Sequence, residues 1–299
     1  MKWTQVKLDT GANGWHRHVQ AATVNIVFIC GISDSSERFF DSLEQILPNQ
    51  AHIWTLDLRG FGVSQGDVPG HFGDSKGTQQ IVEDICALCQ NINNPHPVVI
   101  IGHSTGGLFT LLALSRMAKE PALAILSSVG ILPTWELQIA KLLFAVQKWR
   151  YGKQGYSPWI KSNTNQKYAR ELNVPIDADW RSFDPVSLDS LTQTNSSQIE
   201  ATVGSWCEIL HALGQIGRTM AQTPQTVCLL LGGSKDPSTQ FGVAMVRLSN
   251  ALVNEGWACH HQFVSGASHD IWKGKPSEKT IKVTEEFILK YLPLGGFDI

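Results

Sequence analysis

The chain has 299 residues, with 24 Lys plus Arg against 26 Asp plus Glu, a formal net charge of −2. Hydrophobic residues make up 42% and charged residues 17%, which excludes an intrinsically disordered chain and a strongly basic nucleic-acid binder. No stretch reaches the roughly 18 uninterrupted apolar residues of a membrane-spanning helix, and the start Met1-Lys2-Trp3-Thr4-Gln5-Val6-Lys7 lacks the apolar centre of a secretory signal.

In chain order, predicted strands at 24–30, 53–58, 98–101, 123–126, 227–231 and 260–264 alternate with predicted helices at 37–47, 78–92, 106–119, 239–254 and 277–292. Several of the strands are apolar throughout, as in a parallel sheet covered on both faces. Strands alternating with helices of this length predict βαβ crossovers and a three-layer α/β domain. The alternation stops from 131 to 223. That stretch has helical and loop patterns and holds five of the ten tryptophans and three of the four tyrosines. The expected organisation is an α/β core over 1–130 and 224–299, interrupted by a mostly helical cap insertion over 131–223.

The six cysteines, Cys30, Cys86, Cys89, Cys207, Cys228 and Cys259, are sparse and mostly lie in apolar runs. They read as reduced thiols of a cytoplasmic protein. Cys86 and Cys89 form a lone C-x-x-C without a second pair, a weak metal pattern, so no metal site is expected.

Val98-Val99-Ile100-Ile101 runs into Gly102-His103-Ser104-Thr105-Gly106 and then an apolar helix pattern. This is G-x-S-x-G in a strand-turn-helix context. The tight turn lifts a serine hydroxyl above the sheet at a helix N-terminus, and small neighbours at Gly102 and Gly106 make room for it. Ser104 is therefore the candidate nucleophile.

A serine needs a base, and the base an orienting acid. The last predicted strand ends Phe263-Val264-Ser265-Gly266-Ala267-Ser268-His269, and the preceding one ends Gly232-Gly233-Ser234-Lys235-Asp236. His269 and Asp236 thus fall on loops at the carboxyl ends of neighbouring strands, where open α/β sheets build sites. His260 and His261 lie inside a strand pattern, His211 in the insertion, and His103 is expected to shape the elbow. Asp270 adjoins His269 but is expected to be structural, because adjacent residues rarely bring a carboxylate onto their neighbour's Nδ1. For the oxyanion, the expected donors are the amide of Thr105 and, after the early strand, the amide of Ile32, with Gly31 allowing the turn between.

These residues resemble the α/β-hydrolase superfamily, and within it the monoacylglycerol lipase and lysophospholipase group of serine esterases. The family's H-G-x-x-E-H-S-x-R-Y stands here as Cys30-Gly31-Ile32-Ser33-Asp34-Ser35-Ser36-Glu37-Arg38-Phe39. Its D-x-x-G-x-G-x-S stands as Asp57-Leu58-Arg59-Gly60-Phe61-Gly62-Val63-Ser64. Cys30 and Ser35 depart from family histidines, which bears on the second oxyanion donor and on head-group selection. The resemblance implies hydrolysis of a carboxylic ester through an acyl-enzyme, with no cofactor.

Residues 141–170 carry Lys141, Lys148, Arg150, Lys153, Lys161, Lys167 and Arg170 without an acid, and 171–208 carry Glu171, Asp177, Asp179, Asp184, Asp189, Glu200 and Glu208 with only Arg181. The favoured reading is a solvated pair of oppositely charged faces. The alternative, basic residues among Trp and Tyr resting on an anionic membrane surface, stays open. The expected substrate is a lipid-like ester, such as a lysophospholipid or monoacylglycerol. An aminopeptidase or amidase on the same scaffold, and a catalytically silent ligand-binding protein, are the alternatives.

Overall fold

In this computed structural model, which describes residues 2–176, 178–222 and 226–292, the apolar runs become the middle of one sheet. Its strands are β1 (Trp3–Lys7), β2 (Asn13–Arg17), β3 (Val24–Ile29), β4 (Ala51–Leu56), β5 (Val98–His103), β6 (Leu123–Ser127), β7 (Val227–Gly233) and β8 (Cys259–Val264). They lie in the order β1-β2-β4-β3-β5-β6-β7-β8. From β4 to β8 every neighbouring pair is parallel, while β1 pairs with β2 and β2 with β4 antiparallel.

The period of two in each apolar strand feeds two separate cores. Val27, Ile29, Ile100, Leu126 and Leu230 pack into one cluster. Their sequence neighbours Ile26, Phe28, Val99, Ile101, Ile125 and Leu229 pack into the other. A strand buried on both faces must be apolar at every position, which is why these runs do not alternate.

The helices are α1 (Phe40–Leu43), α2 (Gly77–Gln90), α3 (Thr105–Leu114), α4 (Thr134–Tyr151), α5 (Pro158–Lys161), α6 (Lys167–Glu171), α7 (Pro185–Gln193), α8 (Val203–Met220), α9 (Val243–Asn254) and α10 (Lys275–Tyr291). α2, α3, α8 and α9 bury their apolar faces against the first cluster, and α1 and α10 against the second, which makes the three layers. Between β6 and β7 the described residues contain helices and no strand. The expected boundary at 223 and 224 lies outside the described residues, as does Asp177.

Four expectations differ from what forms, one being the helix expected over 106–119, which ends at Leu114. The helix expected over 37–47 is a 3-10 turn, Ser36–Phe39, followed by the single turn α1. Ser36 and Arg38 turn inward to buried carboxylates there, and those tertiary bonds override helical propensity. The helix expected from 239 begins at Val243, because Gln240 and Phe241 adopt left-handed backbone at φ 55° and 56°. β1 and β2 were not expected. Their sequences, WTQVK and NGWHR, carry few apolar residues because the pair lies at the edge of the sheet.

Candidate active site

β5 ends at His103 and α3 begins at Thr105, which leaves Ser104 alone on the turn at φ 55° and ψ −125°. A residue with a Cβ is strained in this region, so neighbouring structure has to hold it. The glycines supply the room. A Cβ on Gly106 would sit 2.2 Å from the Cys30 carbonyl oxygen and 2.4 Å from that of Ile29; one on Gly102 would sit 2.5 Å from Gly107 Cα. The first turn of α3 thus rests on the end of β3. The Ser104 amide donates to the Ser127 carbonyl at 2.8 Å, and its own carbonyl accepts from Leu108 at 3.1 Å. Gly31 matters for space rather than for backbone angle. It is not among the left-handed glycines, but a Cβ there would meet Ser104 Cβ at 3.1 Å.

The loops after β7 and β8 bring Asp236 and His269 to this serine. His269 Nε2 lies 2.9 Å from Ser104 Oγ, and Nδ1 lies 3.0 Å from Asp236 Oδ2. Ser238, which the sequence reading did not single out, enters the same network. Its hydroxyl donates to Asp236 Oδ1 at 2.7 Å and lies 2.9 Å from His269 Nδ1. A consistent proton assignment follows: the Nδ1–H is shared between Asp236 Oδ2 and Ser238 Oγ, which leaves Nε2 to accept from the Ser104 hydroxyl. The Ser238 amide also donates to Asp236 Oδ1, at 2.9 Å. Burial by itself would raise the Asp236 pKa, but the charge of His269, its hydrogen bond and the Ser238 donors hold it below the usual carboxylate range. The signal that could have revealed Ser238 is Asp236-Pro237-Ser238, an acid capping its own short turn.

The Ser128 hydroxyl fixes the His269 carbonyl at 2.8 Å. His103 is buried 5.1 Å from the His269 ring and bonds Ser127 Oγ at 3.1 Å. Burial, then repulsion from His269, lowers its pKa to about 3, so it is a neutral support for the elbow. Asp270 points away from His269. It accepts from Arg38 Nη1 at 2.6 Å and from the Ser187 hydroxyl at 2.6 Å, while Arg38 Nε also donates to Asp34 at 2.8 Å. Those partners hold the Asp270 carboxyl well below its ordinary range against the opposing effect of burial. His260 and His261 bond Tyr291 and Ser249 instead.

Thr105 heads α3, so its amide is among those that have no acceptor within the helix. Ile32 follows Gly31 in a loop fastened by residues 181 and 199. There Ser33 Oγ donates to the Ile199 carbonyl at 2.7 Å, and Arg181 Nη1 donates to the Ser33 carbonyl at 3.2 Å. The two residues that stand in place of family histidines, Cys30 and Ser35, are buried. Cys30 Sγ donates to Asp57 Oδ1 at 3.5 Å, and burial pushes its pKa well up. Asp57 in turn receives the amides of Ser36 and Val63, both at 2.8 Å. Cys86 and Cys89 are free thiols, Cys89 being pushed up to about 12 by burial.

Two aromatic residues from the stretch between β6 and β7 approach this centre. The Trp180 ring is 5.1 Å from that of His269 and 4.5 Å from Tyr168, and its carbonyl accepts from the Ser268 hydroxyl at 2.8 Å. Two clefts between α2, α3 and α8, lined among others by Thr78, Arg116, Glu208, His211 and Gln215, include neither Ser104 nor His269. His211 therefore belongs to a different surface.

A family model described as "Serine aminopeptidase, S33" matches residues 20–275. No curated relative matches the sequence. Among solved structures the chain is similar to a lipase in its open form, with TM-score 0.83, 15% identity and 98% of each chain covered. It is similar to a thermostable carboxyl esterase from Bacillus coagulans in complex with glycerol, with TM-score 0.83, 17% identity and 97% of this chain and 99% of that one covered. It is also similar to a monoacylglycerol lipase from Paleococcus ferrophilus, with TM-score 0.70, 16% identity and 97% and 100% covered. At these identities the likeness is one of fold, and that fold is the α/β-hydrolase fold.

Two outcomes are expected. Gly106→Ala overpacks the contact with β3 and destabilises the protein by about 3 kcal/mol, read as a lower urea midpoint at unchanged slope; an unchanged midpoint contradicts the packing argument. Ser238→Ala removes one acceptor of the Nδ1 proton and lowers kcat about tenfold with KM unchanged, measured with an ester substrate; a wild-type kcat shows that Asp236 alone orients the ring.

Proposed function

The chain belongs to the serine aminopeptidase S33 family of α/β-hydrolases, and from that premise we propose that it hydrolyses carboxylic esters through an acyl-enzyme. The observation that carries the reading is the unbroken line of contacts from Ser104 Oγ through His269 to Asp236, at 2.9 and 3.0 Å. Ser104 Oγ adds to the ester carbonyl while His269 Nε2 takes its proton. The buried Asp236 carboxylate stabilises the imidazolium that forms. The amides of Thr105 and Ile32 donate to the oxyanion. The bond to the leaving alkoxide breaks as Nε2 returns the proton to it, and water then repeats the sequence to release the acid.

The aminopeptidase or amidase alternative asks for a carboxylate to hold a substrate ammonium. The described acids of 171–208 are already engaged. Asp179 binds Arg181 at 2.6 Å, and Glu171 binds Lys167 at 3.8 Å. Asp184 caps α7, Asp189 accepts from Gln193 at 2.7 Å, Glu200 binds Lys161, and Glu208 accepts from Thr78 at 2.7 Å. That occupancy favours the ester.

A lipid-like substrate is supported by α4. Trp135, Ile139, Leu142, Val146 and Trp149 recur at helical spacing along one side and are 65%, 51%, 69%, 50% and 86% exposed. The opposite side turns Leu137 and Phe144 inward, Phe144 meeting the Trp206 ring at 6.1 Å. An apolar stripe with Arg150 at its end suits a lipid surface that carries negative charge, a cation there adding on the order of 1 kcal/mol. Contact of this kind is peripheral, since no helix among the described residues is long and apolar enough to cross a membrane. The substrate class is then a monoacylglycerol or lysophospholipid presented at such a surface.

A fluorophosphonate probe should label the wild type and not Ser104→Ala, and p-nitrophenyl esters of graded length should show an optimum beyond the shortest chains. Labelling without ester turnover, with release of p-nitroaniline from an aminoacyl p-nitroanilide, moves the assignment to the amidase; no labelling returns the protein to ligand binding. In vesicle sedimentation the wild type should favour anionic over neutral vesicles, and Trp149→Ser should weaken binding about tenfold. Equal binding to both, or none, removes the membrane surface from the account.

A further inference from the structure

We propose that His16, His18 and His52 form a binding site for a zinc-class divalent metal ion at the antiparallel end of the sheet, with β3 between it and the strand that leads to Ser104. The register brings them together. His16 pairs with Trp54 and Arg17 with Ile53, so the next step sets His18 opposite His52. Residues directly opposite in an antiparallel pair, and residues two apart in a strand, share a face. Hence His16, His18, His52 and Trp54 share one. The ring centroids of His18 and His52 are 4.8 Å apart and those of His16 and His52 5.7 Å. One ring nitrogen from each histidine lies within 4.8 Å of the other two.

Two further observations set this cluster apart from a chance gathering of rings. His16 stacks flat on Trp54, centroids 3.6 Å apart and planes 11° from parallel, which fixes the plane in which its nitrogens point. His16 Nε2 is buried and has no hydrogen-bond partner, a state that native structures rarely leave unexplained. A metal ion held through Nε2 would supply that partner.

The donor set is three neutral imidazoles with no carboxylate, which selects zinc, nickel or copper over magnesium or calcium. At a Zn–N distance of about 2.05 Å, tetrahedral nitrogens stand about 3.3 Å apart. From a spread of up to 4.8 Å the nitrogens close in by at most about 1.5 Å, and His18 is exposed and able to supply most of it. Its side of the site is open to solvent, so water takes the fourth position. One bond competes. The Val19 amide donates to His52 Nδ1 at 3.3 Å. Metal at Nδ1 displaces it directly, and metal at Nε2 moves the ring proton to Nδ1 and ends it as well. At that length it is a weak bond to surrender. The bound ion ties β2 to β4 and so stiffens the edge formed by β1 and β2.

The test uses the full chain after chelator treatment. Zn²⁺ is titrated calorimetrically, Co²⁺ is titrated by visible absorption, and Tm is measured with and without Zn²⁺. One equivalent of Zn²⁺ should bind, Co²⁺ should give the intense bands of tetrahedral nitrogen ligation, and Zn²⁺ should raise Tm. His18→Ala, an exposed substitution that leaves the fold intact, should weaken Zn²⁺ binding at least tenfold and abolish the Tm rise, and His52→Gln should do the same. Absence of wild-type binding overturns the proposal. So does binding that both variants retain, since the ion then sits on other histidines or cysteines.

Discussion

The molecule is organised around a backbone that is unfavourable at one residue. Ser104 holds φ 55° with a side chain attached, and it does so because α3 is seated on the last carbonyls of β3 through Gly106. That close approach exists only if β3 and β5 are adjacent, parallel and in register, with Ile29 opposite Gly102. The two apolar cores on either side of the sheet therefore do more than stabilise the fold. They hold the two strand ends whose meeting forces the serine outward, where a helix N-terminus offers its amides.

Two acids compete for the neighbourhood of His269, and direction decides between them. Asp270 is adjacent in sequence, yet its carboxylate faces Arg38 and Ser187. Asp236, 33 positions away, faces Nδ1. Both are buried and both are held ionised by their partners. Removing Arg38 would strand two buried carboxylates, Asp34 and Asp270, and an uncompensated buried charge costs about 3–5 kcal/mol. The ion cluster thus fixes the loop on which the imidazole is carried and keeps a second carboxylate from capturing it.

The parallel half of the fold was legible because its strands are buried on both faces and its helices are long. The elbow, Asp236 and His269 were legible because each follows such a strand, so their order along the chain translates into proximity. The antiparallel half was not. β1 and β2 are short edge strands of mixed polarity, and nothing in WTQVK or NGWHR distinguishes them from a loop. His16, His18 and His52 escaped notice for the same reason, since only the register of β2 with β4 joins residues 36 positions apart. Ser238 was hidden differently. Its part depends on Asp236 capping a 3-10 turn, a side-chain geometry that hydrophobic periodicity does not encode. The expected helix at 37–47 failed because polar side chains there answer to distant buried carboxylates.

The segment between the strands is stitched to the peptide that bears the imidazole. The Asp270 amide donates to the Arg181 carbonyl at 2.8 Å, its carboxylate accepts from Ser187, and the Ser268 hydroxyl donates to the Trp180 carbonyl. These three anchors flank His269 on either side. Residues 180–187 therefore cannot shift away from this peptide without breaking these bonds, and the place of His269 beside Ser104 depends on how that short segment is seated.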